Sequence, residues 1–175
     1  MTRILDDRSI DSLFRAAHPC TRWLPKPVSD AVIEAIWELA RLPPTASGTW
    51  PARIVFVRSP VEKARLAPAF AAAASSAVLQ APLCAVIGSA RAAAPGAEAA
   101  ARDSALQAGF LMLAARAIGL DCTPLVPASP ALVDAAFFAD GSAATSLVCL
   151  LGYGDAAAAA VSEPGPDFAA ACRIV

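Results

Sequence analysis

The sequence predicts a layered α+β domain. Three short apolar runs, 54–57, 83–87 and 146–151, read as strands buried by neighbours on both faces. Helical segments outnumber them. Their order is α, α, β, α, β, α, α, β, without the regular alternation of βαβ units. At 175 residues the chain fits one domain, spanning 1–175, with a sizeable core.

Residues 9–17 are expected as a short helix with Ile10, Leu13 and Phe14 on one face. The stretch 18–27 is irregular, broken by Pro19, Pro25 and Pro27. Ser29 suits the N-cap of the next helix, with Val28 and Ile33 as a hydrophobic staple. Val32, Ile33, Ile36, Trp37 and Ala40 recur at helical spacing, so this helix docks one face on the core. Pro43 and Pro44 stop it. The following stretch, 43–53, is rich in Pro, Gly, Ser and Thr and joins a helix to a strand, a common place for ligands.

Segments 60–66 and 69–79 read as helices broken near Pro68. After the strand at 83–87, residues 88–101 are Ala-, Gly-, Pro- and Ser-rich and read as a surface loop with at most a helical turn. Leu106, Phe110, Leu113, Ala114 and Ala117 form one stripe of a helix at 104–118, while Leu111, Met112 and Ile118 make it apolar on other sides. Such a helix is central or lies in an interface. Gly119 fits its C′ position. A loop is expected at 121–127, then a short helix capped by Ser129 with Pro130 at its first position. The strand at 146–151 ends at Gly152-Tyr153-Gly154-Asp155. Residues 156–166 are low-complexity and expected to be flexible, and the tail has a small apolar face at Phe168 and Cys172.

Composition narrows the function. The chain is 57% apolar and 17% charged, much of the excess being alanine, which favours a buried oligomer interface. No run of about 18 strongly apolar residues occurs, so no membrane span is expected. The N-terminus is too charged for a signal peptide, which makes cytoplasmic the default location. A net charge of −1 with no Lys/Arg run argues against nucleic acid as a partner. The five cysteines, Cys20, Cys84, Cys122, Cys149 and Cys172, are odd in number and widely spread, so neither a zinc site nor a disulfide framework is expected. Cys84 and Cys149 read as small core residues.

Neither a Walker loop nor G-x-G-x-x-G is present. His18 is the only histidine, so a hydrolase triad is hard to build, and it reads as an exposed loop residue. Glu38 and Asp134 read as solvated helix faces. What remains is three loops of small residues, 43–53, 121–127 and 152–155, able to close around a planar, phosphorylated cofactor.

Several motifs occur in a specific order: Leu13-Phe14-Arg15, Trp23, Pro27-Val28-Ser29-Asp30, Pro44-Thr45, and Pro51-Ala52-Arg53-Ile54-Val55-Phe56. Ala81-Pro82, Gln107, Gly119-Leu120-Asp121, Asp134-Ala135-Ala136-Phe137-Phe138 and Gly152-Tyr153-Gly154-Asp155 complete them. In these the chain resembles the nitroreductase family, and within it the malonic semialdehyde reductase-like branch. The resemblance implies a three-layer α+β dimer around a mostly antiparallel sheet, with FMN at the subunit interface and a C-terminal tail that reaches the partner. It further implies hydride transfer from NAD(P)H through flavin to a small acceptor: a nitro compound, quinone or semialdehyde.

Position by position, the resemblance implies cofactor contacts from His18, Thr21 and Arg22 at the phosphate and from Pro44, Thr45 and Gly48 at the ring. Gln107 on its helix and Pro124 and Leu125 over the ring complete the set. No catalytic side chain is singled out. Gly48 stands where the family carries Asn, His18 and Pro19 replace much of the usual basic charge, and the stretch just after Asp155 lacks the Lys or Arg that usually grips the phosphate. The 87–102 segment is shorter than in relatives. The alternative expectation is a flavin-free dimer of the same fold serving as a binding module.

Overall fold

The computed structural model describes residues 4–20, 22–92, 96–155 and 165–175. Helix α1 (Asp7–Ile10) passes into a π-helical turn at Asp11–Arg15. Then come α2 (Asp30–Ala40), β1 (Ala52–Val57), α3 (Pro60–Leu66), a 3-10 turn (Ala67–Ala69) and α4 (Ala72–Gln80). Strand β2 (Leu83–Ala90), α5 (Ala97–Ala117), β3 (Asp121–Leu125), α6 (Pro130–Phe137), β4 (Ala143–Gly152) and α7 (Phe168–Ala171) follow.

The four strands form one sheet in the order β1-β2-β4-β3, with every pairing antiparallel. Alternation along β2 and β4 divides the core in two. Leu83, Ala85, Ile87, Cys149 and Leu151 pack under α2 and α5 with Ile36, Ala108, Leu111 and Ala115. Cys84, Val86, Val148 and Leu150 face α3, α4 and α6, among Leu66, Val78 and Val133. The result is a three-layer α/β/α arrangement.

Local chemistry explains most boundaries. The Ser29 hydroxyl accepts from the Val32 N–H (3.4 Å), and Ser59 does the same for Glu62 (3.1 Å), so α2 and α3 start at these residues. Helix α2 ends before Pro43, because the residues preceding a proline avoid helical angles. At the end of α5 the Gly119 and Leu120 N–H groups donate to Arg116 O (3.0 Å) and Ala115 O (2.9 Å), as the glycine predicts.

The structure corrects five expectations. The sheet has four strands rather than three, because the stretch beginning at Asp121 is β3 and not a loop. Pro124 is tolerated there because β3 pairs only with β4 and its other edge is free. The supposed loop after Gly88 divides differently: β2 runs on to Ala90, and α5 begins at Ala97, about two turns early, since alanine is the best helix former. Strand β1 is only partly covered, being the other edge of the sheet. Ser129 precedes α6 but its side chain makes no cap bond. Asp134 is not a solvated residue: its carboxylate accepts from Thr145 N (2.7 Å) and pairs with Arg91 (3.0 Å), tying α6 to β4. Most of the stretch read as low-complexity after Asp155 lies outside the described residues.

Candidate functional site

The residues singled out from sequence gather at the two ends of α5. At its N-terminal end stands the 43–49 segment. Gly48 has φ +66°, a left-handed conformation that favours glycine, and a Cβ built on it meets nothing within 4 Å. The turn is thus open on its outer side. Thr45 turns its hydroxyl inward, donating to Thr49 O (2.7 Å). Pro44 is exposed.

The turn is held by a residue that sequence reasoning missed. Asp103, fully buried on α5, accepts from Ala46 N (3.1 Å), Ser47 N (3.1 Å) and the Thr49 hydroxyl (3.3 Å). Burial pushes its carboxyl up, but the donors at Ser47, Thr49 and Ala46 outweigh this and leave it below the ordinary value. One turn along, the buried Gln107 accepts from Ala52 N (2.9 Å), fixing where β1 begins. Its amide nitrogen makes no hydrogen bond among the described residues and remains for a ligand.

The C-terminal end of α5 carries the other group. The Cys20 backbone and the Thr123 hydroxyl exchange bonds of 2.8 and 3.0 Å, which pins Cys20 against β3. Arg116, its side chain only 9% exposed, donates to His18 O (3.0 Å) and pairs with Asp121 (3.4 Å). Arg22 pairs with Asp155 (2.9 Å). Gly154 N donates to Asp121, and a Cβ at Gly154 would run into that carboxylate and the Cys20 sulfur, so glycine is needed for this close approach. Thr21 lies outside the described residues. His18 is half-buried rather than exposed: it lines a 260 Å³ cavity with Pro19, Cys20, Asp121 and Asp155. A second cavity, of 360 Å³, shares Pro19 and is walled by Met112, Arg116, Cys122 and Pro124. Leu125 points away, into the core beneath α6. The Cys122 thiol is lowered to about 7 by a hydrogen bond from Cys149 and by the Arg116 charge, against burial.

The two groups do not meet within one chain. Asp103 and Arg116 lie ~13 residues apart on one helix, which at ~1.5 Å per residue is about 20 Å. The C-terminal group suits an anionic, ring-bearing ligand: His18 lines one cavity and Arg116 the other, beside the β3 edge, and Arg22 is held by Asp155 of the first cavity. The N-terminal group offers an open turn and a free amide. Both fit parts of a flavin nucleotide, although Asp121 and Asp155 offset the positive charge.

Residues 20–78 match the model of the nitroreductase family. A Stenotrophomonas maltophilia (strain K279a) protein, whose name places it among NADH dehydrogenase/NAD(P)H nitroreductases, is 38% identical over 195 aligned positions, spanning 99% of this chain and 100% of the relative. The chain belongs to the nitroreductase family. A like-named Rhodopseudomonas palustris (strain TIE-1) relative is 36% identical over the full length of both chains. Because the alignment with the first relative runs to 195 positions and this chain has 175 residues, that nitroreductase carries residues absent here. Among solved structures, a Bacillus subtilis nitroreductase superposes with TM-score 0.86 at 14% identity, covering 97% of this chain and 100% of that one. An FMN-dependent nitroreductase from Clostridium difficile R20291 gives 0.77 at 16%, covering 91% and 95%. At such identities these two establish the nitroreductase fold alone.

Proposed function

We propose that this nitroreductase-family chain is an FMN-dependent oxidoreductase, active as a homodimer, that passes a hydride from NAD(P)H to a small organic acceptor. The observation that carries it is the division of the candidate residues between opposite ends of α5. Two copies packed antiparallel along this helix bring the 43–49 turn of one against the 18–22 segment of the other. The exposed Leu106 and half-buried Phe110 supply an apolar face for that contact.

Arg22, Arg116 and His18 hold the phosphate end, while the backbone of the β3 edge at Pro124 and Leu125 covers one side of the ring. The open turn at Gly48 and the Gln107 amide approach the ring from the second copy. When bound, FMN supplies a ring that takes up a hydride and hands it on. The chain's part is to position that ring, keep water from it and balance its charge.

The experiment is the absorption spectrum of the purified protein after gel filtration, followed by titration with FMN. A flavin band that is retained, or restored by added FMN and bleached by NAD(P)H without oxygen, is expected. Arg22→Ala should weaken FMN binding about tenfold or more, as loss of one charge-assisted contact does. A colourless protein that does not take up FMN overturns the proposal. That outcome favours a flavin-free binding module, a reading supported by the ion pairs that already occupy Arg22 and Arg116.

A further inference from the structure

A third cavity, of 390 Å³, lies beside the 43–53 segment and takes in Thr49, Trp50, Arg53, Ala90, Ala92 and Ser142. Among the described residues no carboxylate lines it. Trp50 is 41% exposed, which leaves much of its indole open. Arg53 is held in a fixed pose: its Nη1 donates to Trp50 O and to Ala52 O, both at 3.1 Å. The remaining guanidinium nitrogens, Nε and Nη2, meet no acceptor among the described residues. Arg91, which adjoins the lining residues Ala90 and Ala92, is engaged with Asp134 (3.0 Å). Arg53 pairs with no carboxylate among the described residues.

An uncommitted, oriented guanidinium matches the two oxygens of a carboxylate, and an open indole matches a flat ring. We infer that this cavity is a subsite for a planar aromatic carboxylate. Its place in the reaction is to hold the electron acceptor by its carboxyl end, beside the turn at Gly48; that role rests on the flavin-dependent function proposed above.

The test uses the full-length protein as purified. Benzoate and its neutral isostere benzamide are titrated by calorimetry and by quenching of tryptophan fluorescence. Benzoate is expected to bind at least tenfold more tightly than benzamide. Arg53→Gln should remove at least tenfold of benzoate affinity and leave benzamide unchanged, with Arg53→Lys between the two. Trp50→Ala should weaken both ligands. Equal binding of benzoate and benzamide, no benzoate binding at millimolar concentration, or an Arg53→Gln protein with unaltered benzoate affinity overturns the subsite. Flavin is read separately, from absorption. A protein without flavin that still shows Arg53-dependent benzoate binding keeps the subsite and loses only the function proposed above. In flavin-loaded enzyme, the preference for 4-nitrobenzoate over nitrobenzene in kcat/KM should collapse in Arg53→Gln; a preference that survives overturns the acceptor role.

Discussion

Three donors of the 46–49 turn converge on one carboxylate, that of Asp103, fully buried on α5 beside the buried Ser104 and Gln107. An aspartate there weakens the helix intrinsically, so its benefit comes from the turn it holds. Nothing in the spacing of the sequence marks it, because it lies one residue before the 104–118 helix read from the apolar stripe. Asp103→Ala should lower the melting temperature by several degrees. The effect has a definite pH dependence. The folded-state pKa lies below the unfolded value, so the contribution is complete above the unfolded pKa of about 4 and fades as pH falls through the folded value. The gap between the melting curves of wild type and variant should therefore narrow as pH falls below about 4; a gap that stays constant on further acidification would contradict this account.

Among the elements, legibility followed side-chain size. Helix α2, with its Ser29 cap and apolar face, and the strands β1, β2 and β4 are visible because Ile, Val, Leu and Phe recur at readable periods. Strand β3 is not, because Asp121 is a poor strand former and Pro124 suits a strand only where one edge is unpaired, and that is a property of the finished sheet. The start of α5 is hidden for the opposite reason: alanines form helix well but carry no apolar pattern. The Pro44, Thr45 and Gly48 stretch was legible as a loop between a helix and a strand, whereas its distance from His18 and Arg22 depends on the length of α5. That helix is the spine of the molecule, contacting α2 and the strands β1–β4. Leu111, fully buried at its centre, is the test: Leu111→Ala should cost about 2–5 kcal/mol in urea unfolding, and a loss under ~1 kcal/mol would show that α5 is not the packing centre.

At the scale of the whole molecule, one chain carries two separated groups of candidate residues, which the proposed homodimer would join. Light scattering after gel filtration should give twice the 17.8 kDa chain mass. Phe110→Glu, placed on the face of α5 assigned to the contact, should shift the protein to a monomer that binds FMN far more weakly. A monomeric wild type would contradict the proposed assembly. Among the described residues no helix is long and apolar enough to cross a membrane. The separation of the two groups along α5 also has a genetic consequence. A chain disabled at Arg22 and a chain disabled at Gly48 are each inactive alone, yet a mixed dimer pairs the sound end of one with the sound end of the other. Half of randomly assembled dimers are mixed, and each has one intact site of two, so co-expressing the two defective genes should restore about a quarter of wild-type activity.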